Sequence, residues 1–349
     1  MQNYAEETLL SANTPNLSGL APPIQSAYQG DSERVALPEH VDHAFANPFQ
    51  IEDLLIFDQP NLARILALGQ ISPEHLACSL HEAPSSLIRN VFSCLSLEQR
   101  SFFEQVLFLP VKQDHIAQAR HLLLDKLFWE LTYWKTPSLY EELVSGEHLH
   151  PGIFRQLEPL LRDKIVLDAG AGCGRATFEA LEHGAALVYA VEPSPGLRGL
   201  LAEKLATPTG ITPVVLRDGD FTHIPLPDQS VDIALACSAF TAEPAQGGEP
   251  GLAELKRVTR IGGFVVLIWP RVQDRSWLAE HGFRYVTFPV EKEMTLSFAS
   301  WESAWRCTRR FYAQNKNVFR YLRHARHPGL PFSVLDCNPP CDYGWLQVK

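Results

Sequence analysis

The stretch Lys164–Thr177, KIVLDAGAGCGRAT, decides the fold of this 349-residue chain. An apolar run rich in β-branched residues ends in Asp168 and is followed by Gly170, Gly172 and Gly174. Glycines at the turn from a strand into a helix let the backbone approach a ligand closely. The acidic residue that closes the strand favours a cationic or hydroxyl-bearing ligand over a phosphate. Taken alone, the loop leaves open a tight packing turn or a dinucleotide-binding loop.

The segments that follow alternate between strands and helices with the spacing of a parallel sheet. A second apolar strand, 186–191, ends in Glu192, and a carboxylate there can accept hydrogen bonds from both hydroxyls of a ribose. A third strand leads into Asp220 and Phe221, and a fourth covers 231–235. This order predicts a Rossmann-like, doubly wound α/β sheet.

The four motifs, in this order, resemble the class I S-adenosylmethionine-dependent methyltransferases of the type 11/25 kind. They are VLDAGAGCG, AVEP, GDF followed by IPLPDQSVDIAL, and LKRVTRIGGFVVL, and the resemblance covers about residues 140–289 with a weaker extension to Lys349. It implies a seven-stranded Rossmann-like sheet and S-adenosyl-L-methionine as cofactor. It also implies that the segment Tyr140–Pro151 is a lead-in helix covering the methionine end of that cofactor.

The resemblance also implies a role for each motif residue. The glycine loop is expected to run under the methionine portion, with Asp168 on its ammonium side, while Glu192 binds the ribose and Pro193 packs on the adenine. Asp220 is expected to accept from the adenine amino group, although Asp218 competes for that role. The expected cofactor-binding residues are Asp168, Gly170, Gly172, Gly174, Glu192, Pro193, Asp220, Phe221, Cys237 and Ser238.

No catalytic residue is assigned from the sequence. A nucleophilic methyl acceptor needs no strong base, whereas a hydroxyl acceptor usually needs a His, Glu or Asp nearby. The candidates for such a base are His148, His150, His223 and Glu243. A lone histidine is more often a surface or capping residue, so the catalytic role stays open.

Residues 39–135 are predicted to form an all-α domain, because apolar residues recur three and four positions apart. Predicted helices cover 49–57, 60–68, 72–81, 85–95, 97–109 and 114–134. The stretch 49–130 resembles the C-terminal domain of the flagellar motor switch protein FliG, although that family's charged torque helix is not matched. The resemblance implies a surface for self-association or for docking a protein partner. A plain helical cover over the substrate site is the alternative.

The start of the chain is predicted to be mobile, and the C-terminal part is predicted to be folded. Residues 1–38 are rich in Pro, Ser, Asn, Gln and Gly without periodicity, which predicts a mobile arm. The methyltransferase-like domain is expected to run from 136 to 349, with an inserted amphipathic helix near 300–324. The last strand is expected from 332–335 and 343–348.

Composition narrows the class of protein. The chain carries a net charge of −10, which argues against a nucleic-acid partner, and 46% hydrophobic residues, which are enough for packed cores. No apolar run approaches the roughly 18 residues of a membrane span, and the first residues lack a secretory signal. Seven scattered cysteines favour reduced thiols and a cytoplasmic location. The pair Cys337 and Cys341 lacks a second ligand pair, so no metal site is expected.

Three functional hypotheses follow. The first is a methyltransferase for a small-molecule acceptor, with specialised metabolism as the expected setting. The second is a protein methyltransferase whose helical domain recruits the target. The third is a non-catalytic scaffold that binds the cofactor. No membrane partner is expected, and the helical domain is a candidate for homodimerisation or for binding a protein partner.

Overall fold

The computed structural model describes residues 45–68, 71–206 and 213–349. The predicted N-terminal arm, 1–38, lies outside these residues. A 3₁₀ helix, Ile51–Ile56, opens the helical layer. It is followed by α1 (Gln59–Leu68), α2 (Pro73–Ser79), α3 (Ser85–Cys94), α4 (Leu97–Leu107), α5 (Gln113–Lys126), α6 (Phe128–Lys135) and α7 (Pro137–Val144).

A seven-stranded sheet follows the helical layer. The strands of the chain are β1 (Ile165–Ala169), β2 (Leu187–Val191), β3 (Val214–Arg217), β4 (Val231–Cys237), β5 (Thr259–Ile268), β6 (Arg284–Thr287), β7 (Thr295–Ser297), β8 (Gly329–Pro331) and β9 (Asp342–Gln347). The sheet has the order β3-β2-β1-β4-β5-β9-β6, in which β1 to β5 are parallel and β9 is antiparallel to both its neighbours. The predicted Rossmann-like sheet of seven strands is confirmed.

Helices cover both faces of this sheet, as the doubly wound pattern requires. They are α8 (Gly152–Leu161), α9 (Arg175–Glu182), α10 (Pro195–Leu205), α11 (Gly248–Val258) and α12 (Arg275–Glu280). One buried cluster joins α8 and α9 to the sheet through Phe154 and Ala180, and another joins α11 through Leu252 and Leu255. The glycine loop therefore lies at the carboxyl ends of the parallel strands, where β1 and β4 diverge around the switch in strand order.

The C-terminal elements between β6 and β9 pack with the helical layer. These elements are α13 (Trp301–Phe311), α14 (Lys316–Ala325), α15 (Phe332–Leu335) and the two-stranded β7-β8 pair. Their buried residues Cys307, Leu322 and Leu330 share one apolar cluster with Leu87 and Phe128 of the N-terminal helices. One core thus joins two distant parts of the sequence, and the predicted boundary at 135/136 does not separate the residues that pack together.

Several element predictions differ from the structure, among them the lead-in helix expected over Tyr140–Pro151, which ends at Val144. The single helix expected near 300–324 is two helices, because the Asn315 side chain accepts from the amides of Asn317 and Val318 and starts a new helix. The helix expected over 114–134 is interrupted at Leu127. The segment Phe332–Leu335, expected as part of the last strand, is a short helix. No helix within the described ranges is long and apolar enough to cross a membrane.

Truncation of the buried Leu322 tests whether the two parts of the helical core are one unit. We expect Leu322→Ala to lower the free energy of unfolding by about 2–5 kcal/mol and to speed hydrogen exchange in α2 to α5 as well as in α14. The control is Arg323→Ala, an exposed position of the same helix. Faster exchange confined to 295–335 would contradict a shared core.

Candidate functional site

The loop between β1 and α9 has a backbone that favours glycine. Gly170, Gly172 and Gly174 all have positive φ, at 68°, 54° and 94°. The amides of Gly170 and Ala171 both donate to the carbonyl oxygen of Val191, which ties this loop to the end of β2. A Cβ on Gly172 would meet no atom within 4 Å, so the loop presents bare backbone to open space there.

Gly174 has a different role from the one expected of it. It caps the start of α9, and a Cβ at this position would lie 2.5 Å from Leu201 and 2.9 Å from Phe178. It is also absent from the cavity wall described below. Gly174 thus permits close packing of the loop on α10, whereas Gly170 and Gly172 line the cavity.

Glu192 links the ends of β1 and β2. Its Oε2 accepts from the Gly172 amide at 2.9 Å, and its Oε1 accepts from the Ser194 amide at 2.9 Å. The side chain is 5% exposed. Burial raises the pKa of Glu192 to about 7, against the opposing effect of the two amide hydrogen bonds. Each carboxylate oxygen keeps a further lone pair for a ligand hydroxyl.

Asp168 is a buried carboxylate, and only one of its two oxygens has a hydrogen-bond partner within the described residues. Its Oδ2 accepts from the Thr177 hydroxyl at 2.6 Å, whereas its Oδ1 is buried with no hydrogen-bond partner within the described residues. Burial raises the pKa of Asp168 to about 6, partly opposed by Thr177. A cationic group in the cavity would satisfy Oδ1 and favour the ionised form.

The structure distinguishes between the two aspartates after β3. Asp220 lines the cavity, and its Oδ1 accepts from the amides of Thr222 and His223 at 2.8 and 3.0 Å. Asp218 instead accepts from Arg198 at 2.8 Å and is largely exposed. Asp220 and Phe221 therefore both lie in the cavity wall, as residues that bind the adenine must, whereas Asp218 does not.

The ends of β4 and β5 form another side of the site. Cys237 ends β4, and Ser238 and Trp269 follow β4 and β5 with positive φ values of 56° and 53°. Burial raises the pKa of Cys237 to about 11, so its thiol stays neutral and is a poor nucleophile. The Trp269 indole N–H donates to the carbonyl oxygen of Asn338 at 3.1 Å, which fixes the ring at the cavity wall.

A cavity of about 880 Å³ joins these groups. Of the ten predicted cofactor-binding residues, all except Gly174 line it. The helical layer and the C-terminal helices also contribute to its wall. The sequence had indicated a cover from the segment Tyr140–Pro151 and, as one alternative, from the N-terminal helices, but not which of their side chains line the cavity. The additional wall residues with polar or aromatic side chains include Arg64, Trp129, Glu130, Tyr133, Tyr140, Glu147, Arg175, Phe311 and Tyr312.

One half-buried ion pair lines this cavity. Arg175, the first residue of α9, donates to the carboxylate of Glu147 at 2.9 Å, and its guanidinium lies 5.7 Å from the centre of the Trp269 ring. Burial raises the pKa of Glu147, and Arg175 opposes that shift. The available sequence signals were the position of Arg175 directly after the glycine loop and the position of Glu147 in the segment Tyr140–Pro151, which was expected to cover the cofactor.

The four candidate bases differ in their position relative to the cavity. His148 lines the cavity. His150 accepts from the Gly152 amide and stacks on Phe288, and Glu243 accepts from Arg271 and is 63% exposed. His223 is exposed beside Asp220. Only His148 among these four is placed to reach a cavity ligand. Within the described residues, no cluster of three or more His, Cys, Asp or Glu side chains is arranged to hold a metal ion.

Residues 167–267 match a family model described as a methyltransferase domain. This match runs from the glycine loop through Glu192, Asp220 and β4 to the end of β5. The part of the chain that holds β1 to β5 and the loops between them is therefore similar to a methyltransferase domain.

Relatives of this methyltransferase domain are found in several bacteria. An uncharacterized methyltransferase of Geobacillus thermodenitrificans is 31% identical over 113 residues, which are 32% of this chain and 50% of that protein. One of Mycobacterium bovis is 34% identical over 119 residues, 34% of this chain and 44% of that protein. The chain thus spans about half the length of these relatives. A solved S-adenosylmethionine-dependent methyltransferase of Aquifex aeolicus is similar over 43% of this chain and 89% of its own, with 21% identity and a TM-score of 0.37.

The residues of the methyltransferase domain fit S-adenosylmethionine. The unpartnered Oδ1 of Asp168 suits an ammonium group, and the open space above Gly172 admits a ligand against the backbone. The remaining acceptor capacity of Glu192 suits the two ribose hydroxyls. These three features lie on one cavity wall, as a single ligand requires.

A side chain placed at Gly172 tests this cavity as the cofactor site. We expect Gly172→Arg to remove measurable binding of S-adenosylmethionine in calorimetry, because the side chain would fill the cavity. The control is Gly262→Arg, which also has positive φ and open space but lies in an exposed part of β5 away from the cavity. Both variants should pay a similar backbone cost of about 1–2 kcal/mol. Unchanged affinity in Gly172→Arg would contradict the assignment.

Glu192 predicts a pH dependence of cofactor binding. Since its pKa is about 7 and ribose hydroxyls donate to the ionised form, binding becomes coupled to loss of a proton below that pH. We expect the affinity for S-adenosylmethionine to fall with decreasing pH, by up to about tenfold per pH unit. Glu192→Gln should bind weakly and with a flatter profile. A wild-type affinity that stays constant through this range would contradict the role of Glu192.

Proposed function

We propose that this protein is an S-adenosylmethionine-dependent methyltransferase that acts on a small-molecule acceptor. The observation that carries the proposal is the Glu192 carboxylate, held between the Gly172 and Ser194 amides at the cavity wall of a methyltransferase domain. This arrangement supplies hydrogen-bond acceptors for a ribose next to the glycine loop.

Different residues would hold different parts of the cofactor. Glu192 would receive the ribose hydroxyls, Pro193 and Phe221 would flank the adenine, and Asp220 would accept from its amino group. Gly170 and Gly172 would hold the methionine portion, with Asp168 for its ammonium group. Cys237 and Ser238 would border the methyl group. All of these residues line one cavity, which supports this assignment.

The chain's own contribution to the chemistry is orientation and the exclusion of water. When bound, S-adenosylmethionine supplies an activated methyl group, so the residues around it need to align the acceptor with the carbon–sulfur bond. The neutral Cys237 thiol is unsuited to covalent catalysis. His148 is the candidate to take a proton from an acceptor hydroxyl, and an acceptor that is already nucleophilic would not need it.

A small acceptor is favoured by the enclosure of the site. Four large aromatic side chains line the cavity: the Trp129 and Phe311 rings stack with centroids 5.5 Å apart, and Tyr140 and Tyr312 also lie in its wall. The cavity volume of about 880 Å³ lies within the range of about 300–1,000 Å³ that is usual for small-ligand pockets. Cofactor and acceptor would share this space.

A protein acceptor is the second candidate. The helical layer exposes Leu97 and Phe108, at 83% and 82%, and exposed apolar side chains of this size are candidates for partner contacts. The resemblance of 49–130 to the C-terminal domain of FliG supports the same idea, recruitment or self-association through the helices. Against it, the helical layer shares its core with α13 and α14, so it is built into the enclosure of the site.

Transfer of a labelled methyl group separates the hypotheses. We expect wild-type protein with methyl-labelled S-adenosylmethionine to label the small-molecule fraction of a cell extract, and Gly172→Arg to label nothing. The double variant Leu97→Ser, Phe108→Ser should keep this activity. Label found in protein, and lost in the double variant, would favour recruitment. Binding of S-adenosylmethionine without any transfer would favour a non-catalytic scaffold.

A further inference from the structure

Helix α6 of the helical layer is docked directly on the loop that carries Glu192. The Ser194 hydroxyl donates to the carbonyl oxygen of Tyr133 at 3.0 Å, while the Ser194 amide donates to Glu192. A Cβ on Gly196 would lie 2.4 Å from the same Tyr133 oxygen, so glycine is needed for this close approach. Two hydrogen bonds through one serine therefore connect α6 to the ribose-binding carboxylate.

Because α6 is docked in this way, two of its side chains line the cavity. Glu130 and Tyr133 are three residues apart and therefore lie on the same side of the helix. Both line the cavity, together with Arg64 of α1. Arg64 Nε lies 3.8 Å from Oδ2 of Asp220, which places the helical layer against the adenine end of the site.

Three carboxylates meet in this corner of the cavity. Glu130, Glu192 and Asp220 all line the cavity, and Arg64 is the cation close to Asp220. Burial raises the pKa of Glu130, the nearby charge of Asp220 adds to that shift, and Arg64 opposes it. The charge of Glu130 also contributes to the raised pKa of Glu192, so the two carboxylates act on each other across the cavity.

The adenosyl portion of S-adenosylmethionine offers hydrogen-bond donors to these carboxylates. Its ribose has two hydroxyl groups and its adenine has one amino group, whereas Oδ1 of Asp220 is already occupied by the local hydrogen bonds of Thr222 and His223. The acceptors that stay available are Oδ2 of Asp220, the remaining lone pairs of Glu192, and the carboxylate of Glu130.

We propose that Glu130, supplied by the helical layer, is a third carboxylate that binds the adenosine portion of the cofactor, with Arg64 as a positioning residue that offsets the repulsion between Glu130 and Asp220. This inference rests on the proposed function. It makes the helical layer part of the cofactor site as well as a cover, so cofactor binding and docking of α6 are coupled.

The test is calorimetric titration of the full chain with S-adenosylmethionine and with adenosine, at a pH above the pKa of Glu130. We expect Glu130→Gln to weaken both ligands by about tenfold, since a hydrogen bond to a charged group is replaced by a neutral one. Glu98→Gln, the same change at an exposed position of α4, is the control and should leave both affinities unchanged. A loss for S-adenosylmethionine without a loss for adenosine would overturn the assignment to the adenosine portion.

Hydrogen exchange supplies a second readout, which does not depend on a change in affinity. Saturating S-adenosylhomocysteine should slow exchange in α6 and α1 of the wild-type protein, and this protection should shrink in Glu130→Gln. Protection confined to 165–193 and 217–240 would overturn the inference. If wild type binds and Gly172→Arg does not, while Glu130→Gln binds as wild type, this inference fails and the proposed function stands. If wild type does not bind at all, the proposed function fails.

Discussion

The buried carboxylate of Glu192 is the constraint on which the site depends. Placing an ionised carboxylate in a protein interior costs several kcal/mol unless hydrogen bonds compensate. Here two backbone amides do so, one from the loop after β1 and one from the loop after β2. The pKa of about 7 shows that this compensation is incomplete. The arrangement holds the glycine loop in place and leaves acceptor capacity that a ribose would use.

The helical layer is built onto the same loop. Ser194 connects Glu192 to α6, and Gly196 admits the end of that helix at a distance that a side chain would prevent. The core beneath α6 also includes residues of α13 and α14, which approach from the other end of the sequence. A site formed by the sheet edge is thus enclosed by two distant segments that stabilise each other. This explains why the aromatic wall comes from Trp129 and Phe311 together.

The residues at the ends of the parallel strands could be predicted from the sequence. Strand ends in a parallel sheet meet at one edge, so Asp168, Glu192 and Asp220 could be placed from their positions after apolar runs. Gly174 was assigned to the ligand because a run of alternating glycines does not show which of them faces packing side chains. Only the fold showed that a Cβ there would meet Leu201.

The contributions of the helical layer could not be predicted in the same way. Glu130 reaches the cavity because the chain breaks at Leu127 between α5 and α6, whereas the sequence pattern indicated one continuous helix. Arg64 reaches Asp220 only through tertiary packing across 156 positions, from residue 64 to residue 220. A periodic apolar pattern predicts which face of a helix is buried, and it carries no information about which polar residue at the edge of that face meets a ligand.

The binding of the ribose by Glu192 is tested most directly by a crystal structure of the protein with S-adenosylhomocysteine. We expect both ribose hydroxyls within hydrogen-bond distance of Glu192, about 2.5–3.0 Å between oxygens, with the amino-acid portion against Gly172 and Asp168. Ligand density elsewhere, or a ribose turned away from Glu192, would contradict it.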